Sequence, residues 1–192
     1  MHATAPGRLS DEARKQLIHI ARASILHGLE HGKALHPSPQ DYSDELQVER
    51  ASFVTLNRFG ELRGCIGHLE AIMPLARDVA ENAYSAAFRD PRFPPLTRGE
   101  YAQLVLHISI LSPPEALMVR SESDLLTKLR PGVDGLILED GYARGTFLPS
   151  VWESLPEPEE FLRHLKRKAG LSENYWSDTL KLYRYETESF TG

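Results

Sequence analysis

"ASFVTLNRFGELRGCIG", residues 51–67, decides the fold of this chain because it contains two strands that meet at a tight turn. "ASFVTLN" has the alternating pattern of a strand, "RFGE" has the composition of a turn, and "LRGCIG" is the returning strand. Alternation along the second strand puts Arg63, Cys65 and Gly67 on one face. Leu62 and Ile66 are expected on the other face, against the core. The stretch therefore predicts a β-hairpin that carries the only cysteine of the chain.

The bulk composition is that of an ordinary globular protein. The 192 residues suffice for one domain or two small subdomains, and 41% of them are hydrophobic while 26% are charged. Apolar runs stay well short of the roughly 18 residues that a membrane span needs, so we expect no membrane association. A net charge of -5 without a basic stripe argues against nucleic acid as a partner. One cysteine and an N-terminus without signal-peptide character favour a cytoplasmic protein.

The remaining sequence alternates between helical and strand patterns. Four stretches predict helices, and three more predict strands. One of these three contains "DG" at Asp140-Gly141, which divides it into two strands and predicts a second hairpin. Hairpins mixed with helices indicate an α+β fold with mainly antiparallel pairing. The predicted helices cover 10–31, 74–89, 123–129 and 158–171, and the predicted strands cover 103–111, the two halves of 135–148, and 179–187.

Cys65 is the candidate nucleophile, and Arg63 is the nearest cation along its strand. Strand residues two positions apart have Cα atoms about 6 to 7 Å apart, which a guanidinium can span. At that distance a positive charge favours the thiolate, the reactive form of cysteine. Gly64 and Gly67 leave gaps where a ligand or another backbone can approach closely. A buried cysteine beside glycines that make room for a helix explains the same residues, and the sequence leaves both interpretations open.

A thiol nucleophile also needs a base, and the nearest strand-borne histidines are His68 and His107. His68 comes three positions after Cys65, so a regular strand puts it on the opposite face. The partner of the strand that carries His107 is not fixed by the sequence. A hydrogen-bonded surface histidine is the alternative for each. His27, His31 and His36 do not complete a metal-binding pattern, and we predict no metal site.

Two further features are candidates for ligand binding. Asn82 interrupts the alanine-rich side of its helix and should point toward whatever that side covers, unless it sits at the rim. Asp90 and Arg92 flank Pro91 in "DPRFPPL", a loop that its three prolines make stiff. An acid and a base held there either line a pocket or bond to the backbone.

Four motifs in this order and spacing resemble the AMMECR family, which is also met in bacteria and archaea as protein A of the AmmeMemoRadiSam system. The motifs are "LRGCIG", "AAFRDPRFPPL", "GTFLPSVW" and "FLRHLKRKAGL". The resemblance runs from about Phe53 to Tyr185 within a single domain of residues 1–192, whose first 52 residues form an N-terminal helix and loop. It implies an α+β fold of two unequal subdomains, the larger with an antiparallel sheet flanked by helices.

The resemblance also implies a cleft where the cysteine motif meets the proline loop. Together with Asn82, the matching positions give a candidate site with Cys65 and Arg63 as catalytic residues. Its ligand-binding residues are Gly64, Gly67, Asn82, Asp90, Arg92, Phe93 and Thr146. Members more often carry glutamine or an acid where this chain has Ser150, so Ser150 is given no role. The cofactor and the oligomeric state stay undetermined.

Two functions follow from this site. The first is a cysteine-dependent enzyme, or a component of one, with an anionic small-molecule substrate. The second is a module that binds a small molecule or a peptide without chemistry, or a scaffold. The system name suggests Memo-like and radical S-adenosylmethionine proteins as partners of either.

Overall fold

The computed structural model describes residues 8–192; residues 1–7 of the predicted N-terminal segment lie outside the described residues. The described chain forms two compact units, one comprising the residues up to Ser112 together with Glu188–Gly192, the other Pro113–Thr187. Each unit has its own four-stranded sheet and its own apolar core. The predicted α+β class with antiparallel pairing is confirmed. Within residues 8–192, no helix has the length and apolar character that crossing a membrane requires.

In chain order the helices and strands are α1 (Asp11–His31), β1 (Ser52–Arg58), β2 (Glu61–Gly67), α2 (Leu75–Phe88), α3 (Arg98–Tyr101), β3 (Leu104–Leu111), β4 (Glu115–Ala116), α4 (Glu122–Lys128), β5 (Gly135–Asp140), β6 (Ala143–Phe147), α5 (Pro158–Lys168), β7 (Lys181–Tyr185) and β8 (Thr187–Thr191). The first unit orders its sheet β2-β1-β3-β8, and the second orders its sheet β4-β7-β5-β6.

The long helix α1 has the ends that its sequence predicts. The Ser10 side chain accepts a hydrogen bond from the backbone N–H of Ala13 and caps the first turn. Gly32 adopts a left-handed conformation at φ 68° and donates its N–H to the carbonyl of Gly28. Leu17 and Ile25 lie on the apolar side of the helix and are fully buried.

The sheet of the first unit buries one face and leaves the other partly open. Val54, Leu56, Leu106 and Ile108 are fully buried in the core that also includes α1 and α2. Side chains alternate along a strand, so the residues between these ones face the other way. We call that second face the outer face.

The alanine-rich helix α2 packs closely on β2, and Gly64 is what allows it. A Cβ atom at Gly64 would collide with the carbonyl oxygen of Ala86, which belongs to the helix backbone. Small side chains on both elements therefore set their separation. The prediction that a glycine gap in this strand admits another backbone is confirmed.

An irregularity in β2 overturns one prediction. Leu56 pairs with Gly64, but the next residue, Asn57, pairs with Leu62, so Arg63 is inserted between them as a β-bulge. The bulge shifts the alternation by one residue. Leu62, expected in the core, is 42% exposed beside Asn57.

The second unit is built on the predicted hairpin and the amphipathic helix α5. Gly141 takes the left-handed conformation that a tight turn between β5 and β6 requires, at φ 59°. Trp152 stacks on Phe161 of α5 with ring centroids 3.8 Å apart, and the Trp152 indole donates to the carbonyl of Asp134. Two strands that the sequence did not predict, β4 and β8, complete the two sheets.

Candidate functional site

Cys65 lies on the outer face, directly opposite Thr55 of the central strand β1. Cys65 as a whole is of intermediate burial, and Sγ lies 3.1 Å from Oγ1 of Thr55. The backbone N–H and C=O of Cys65 point away from β1, toward the loop that follows α2. The two residues therefore form a non-hydrogen-bonded pair, the kind in which opposite side chains approach most closely.

An ion pair in the loop that follows α2, Asp90 with Arg92, binds the backbone at this edge of the sheet. Oδ2 of Asp90 accepts the backbone N–H of Cys65 at 2.9 Å and also accepts from Nη2 of Arg92 at 2.7 Å. Nη2 of Arg92 lies 3.4 Å from the carbonyl oxygen of Cys65. Side chains thus satisfy the edge groups that a further strand would otherwise pair with. Of the two predicted alternatives for this pair, these contacts show bonding to the backbone, whereas lining a pocket stays a prediction.

The ion pair has one buried and one open partner. The Asp90 side chain is 2% exposed, whereas that of Arg92 is 54% exposed. Hydrogen bonds from Arg92, followed in importance by the backbone N–H groups of Cys65 and Arg92, hold the pKa of Asp90 well below its usual range. The same bonds raise the pKa of Arg92. A permanently charged guanidinium therefore sits at Cys65 with much of its surface available.

Arg63 lies in the bulge and is paired elsewhere. Its side chain is 9% exposed, and Nε and Nη2 donate to the carboxylate of Glu100 at 2.9 and 3.2 Å. Nη2 also donates to the carbonyl of Pro94 at 2.9 Å. Hydrogen bonds from Arg63 lower the pKa of Glu100 to about 2. The positive charge of Arg63 is therefore balanced by Glu100, and its contacts fix the proline loop.

Phe93 connects the two arginines. The guanidinium carbon of Arg63 lies 5.8 Å from the centroid of the Phe93 ring, and that of Arg92 lies 5.5 Å from it. Both distances fit cation–π contacts. The ring thus helps to hold Arg92 at the backbone carbonyl of Cys65.

Other residues of the protein occupy the space beside Gly64 and Gly67. Ala86 occupies the space at Gly64, and a Cβ atom at Gly67 would collide with the ring of Phe53. In this conformation neither glycine offers room to a ligand.

Asn82 lies in a buried polar network on the core side of the sheet. Its amide nitrogen donates to the carbonyl of Ser52 at 3.1 Å and to Oδ2 of Asp78 at 2.9 Å, and the residue is 1% exposed. Asp78 is fully buried and also binds Nδ1 of His68 at 2.6 Å. Burial raises the pKa of Asp78, although the hydrogen bonds from Ser52 and His68 oppose this.

This network explains two sequence candidates and adds two residues. Asn82 contacts Asp78 and Ser52, so its predicted direct contact with a ligand has no support in these contacts. His68 extends the face that holds Ile66, which is opposite to Cys65, as the alternation predicts. The sequence reasoning missed Ser52 and Asp78. The four-residue spacing of Asp78 and Asn82 on one helix was a signal for a shared contact.

Thr146 belongs to the second unit. Its hydroxyl lies 3.2 Å from the hydroxyl of Tyr185, and its carbonyl accepts from Nζ of Lys168 at 2.9 Å. Burial raises the pKa of Tyr185 to about 12, so this phenol stays protonated. The contacts tie β6 to β7 and to the end of α5.

His107 lies on the outer face, opposite Thr55 on the side away from Cys65. Its Nδ1 lies 2.9 Å from Oγ1 of Thr191. The four strands of this sheet thus contribute one polar side chain each to a row that crosses the outer face. We call this set, Cys65, Thr55, His107 and Thr191, the polar row.

Comparison with known proteins assigns the chain to a family. The AMMECR1 family model matches residues 18–190, which include every motif of the site. The chain belongs to the AMMECR1 family. A protein of Methanothermobacter thermautotrophicus is 40% identical over 188 residues, covering 95% of each chain, and a protein of Thermofilum pendens is 38% identical over 200 residues, covering 96% of this chain and 92% of that one.

A solved AMMECR1-family structure has the same fold. The crystal structure of the uncharacterized protein PH0010 from Pyrococcus horikoshii matches with a TM-score of 0.84 and 37% sequence identity. The match covers 95% of this chain and 93% of that one. The resemblance inferred from the four motifs is confirmed.

Proposed function

We infer that this AMMECR1-family protein is a cysteine-dependent enzyme, or the thiol-bearing component of one, that acts on a small anionic molecule. Cys65 is the nucleophile or covalent carrier, and the guanidinium of Arg92 binds the anionic group of the substrate. The observation that carries this assignment is the position of a half-exposed guanidinium at the backbone carbonyl of a cysteine that is not fully buried.

The surrounding residues support this division of roles. Asp90 holds Arg92 through two hydrogen bonds, from Nε at 2.9 Å and from Nη2 at 2.7 Å, so the guanidinium is oriented before a ligand arrives. A guanidinium that is already oriented loses less conformational entropy when it binds an anion than one on a free side chain. Arg63, Glu100 and Phe93 act as positioning residues, because they fix the loop that carries Arg92.

The comparison of an anionic with a neutral alkylating reagent tests the role of Arg92. Iodoacetate and iodoacetamide both alkylate the single cysteine of this chain, and intact-mass spectrometry gives both rates. The ratio of the iodoacetate rate to the iodoacetamide rate measures attraction of the anion. We expect Arg92→Gln to lower this ratio about three- to tenfold, which is the effect of one nearby positive charge at a partly screened site.

Two variants control this experiment. Arg92→Lys keeps the charge and should keep most of the ratio. Arg77→Gln removes a guanidinium of similar exposure, 50%, that is also paired with a carboxylate, Glu81. It should leave the ratio within about 1.5-fold of the wild type. An unchanged ratio in Arg92→Gln, with the fold intact by circular dichroism, would contradict the role given to Arg92.

The alternative is a binding module or scaffold that does no chemistry. The pairing of Arg63 with Glu100 and of Arg92 with Asp90 favours it, because each cation is already partly neutralised. In that case the anion selectivity would still depend on Arg92, but the folded protein would give its thiol no reactivity above that of the unfolded chain. Partnership with Memo-like and radical S-adenosylmethionine proteins stays a prediction under both functions.

A further inference from the structure

The polar row contains a second residue with acid–base chemistry, and the proposed function does not use it. His107 faces the same side of the sheet as Cys65, with Thr55 between them in register with both. His68 is the histidine nearest to Cys65 in sequence, but it binds Asp78 on the opposite face. His107 is therefore the histidine that shares the face of the thiol.

Thr55 is placed to pass a proton between the two. Its hydroxyl lies 3.1 Å from Sγ of Cys65, a distance that fits a hydrogen bond to sulfur. Directly opposite residues of antiparallel strands have Cβ atoms about 4.5–5.5 Å apart, so the His107 ring is a side-chain neighbour of Thr55. A hydroxyl can accept one proton while it donates another.

Thr191 sets the orientation of the His107 ring. When Nδ1 of His107 donates its hydrogen to Oγ1 of Thr191, at 2.9 Å, Nε2 keeps its lone pair and can accept a proton. Neighbouring strands lie about 4.8 Å apart, so two strand spacings separate Cys65 from His107.

We propose that His107 is the proton acceptor for the Cys65 thiol and that the Thr55 hydroxyl relays the proton to it through one water. The S–H bond of Cys65 breaks, its electron pair stays on sulfur, and the proton ends on Nε2 of His107, leaving a thiolate and an imidazolium. The lone pair left on sulfur is what the proposed nucleophile needs for attack. This proposal rests on the proposed function, since it names the base of the same nucleophile. The charged groups at the thiol end of the row are Arg92 and Asp90.

The test is the rate at which iodoacetamide alkylates Cys65 at pH 7. Because this reagent is neutral, Arg92 does not attract it, and its rate follows the availability of the thiolate. We expect Thr55→Val and His107→Gln each to slow alkylation about five- to tenfold. We expect the double variant to be no slower than either single variant, because two members of one relay are not additive.

Two substitutions at Thr55 distinguish loss of the relay from loss of packing as the cause of a slow alkylation rate. Valine keeps the volume of threonine but lacks the hydroxyl, whereas serine keeps the hydroxyl but lacks the methyl group. The relay predicts that Thr55→Ser stays within about twofold of the wild type while Thr55→Val is slow. Packing alone predicts the reverse order. Ser109→Ala is the matched control, because Ser109 lies on the same strand and face as His107 and binds Ser189 at 2.8 Å.

Three results would overturn the relay: a wild-type rate in Thr55→Val, a slow Thr55→Ser, or single effects that multiply in the double variant. Each of them leaves the proposed function standing if the wild-type folded thiol remains more reactive than the unfolded chain. If folding does not raise the alkylation rate of the wild-type thiol, both proposals are wrong. The two failures are therefore distinguishable.

Discussion

Gly64→Ala will destabilise the first unit by about 3 kcal/mol or more, because the new Cβ atom would collide with the backbone carbonyl of Ala86. A backbone oxygen of α2 cannot rotate away as a side chain could. Either the helix moves off β2 or the strand shifts, and both separate the loop that carries Asp90 from Cys65. Urea unfolding followed by far-ultraviolet circular dichroism measures this loss.

Gly99→Ala is the matched control for that prediction. Gly99 lies in α3 of the same unit, and a Cβ atom there would have no neighbour within 4 Å among the described residues. Alanine in a helix is favoured over glycine by about 0.5–1 kcal/mol, so this variant should be neutral or slightly more stable. A loss below about 1 kcal/mol in Gly64→Ala would show that strand and helix are packed less closely than the structure has them.

Asp78→Ala will cost about 3–5 kcal/mol of the free energy of unfolding. The fully buried carboxylate accepts hydrogen bonds from Ser52 and Asn82 and binds His68, and its removal leaves buried donors without acceptors. Asp78→Asn should cost clearly less. Its amide oxygen can still accept from Ser52 and Asn82, and its NH₂ group can donate to Nδ1 of His68 in the other tautomer.

Glu81→Ala is the matched control for Asp78. Glu81 lies on the same helix, but its side chain is 30% exposed and pairs with Arg77 at the surface, so we expect a loss below about 1 kcal/mol. Both tryptophans, Trp152 and Trp176, lie in the second unit, so their fluorescence reports on that unit as an internal reference. Equal losses for Asp78→Ala and Glu81→Ala would contradict the buried network.

Local signals predicted most of the elements of the fold. Helix α1 could be predicted because Ser10 and Gly32 mark its ends and its apolar residues recur at the helical period. The hairpin of β5 and β6 could be predicted because Asp140-Gly141 favours the left-handed turn that the strands need. In both cases the residues that decide the structure lie within the element itself.

The errors came from contacts between distant parts of the chain. Strand β8 exists because residues near the C-terminus pair with β3, as in the mutual hydrogen bonds between Gly192 and Leu106. The bulge at Arg63 depends on Glu100 and Pro94, which lie more than thirty residues away. Alternation along one strand cannot reveal either contact.

The candidate site was predictable in part for the same reason. The sequence paired Cys65 with the Asp90–Arg92 loop through the family resemblance, and the contacts between them agree with that pairing. The sequence could not show which arginine is available to an anion. Nothing in it indicated that Glu100 would pair with Arg63 and leave Arg92 as the more exposed cation. It also could not place His107 opposite Thr55, since that depends on the strand order β2-β1-β3.

The central claim is that folding makes the Cys65 thiol a reactive nucleophile. The most direct measurement compares the iodoacetamide rate at pH 7 for the folded protein with the rate for the same chain unfolded in urea, where the single cysteine is fully accessible. We predict that the folded protein reacts at least about fivefold faster, although folding reduces access to the sulfur. A folded rate equal to or below the unfolded rate would contradict the claim.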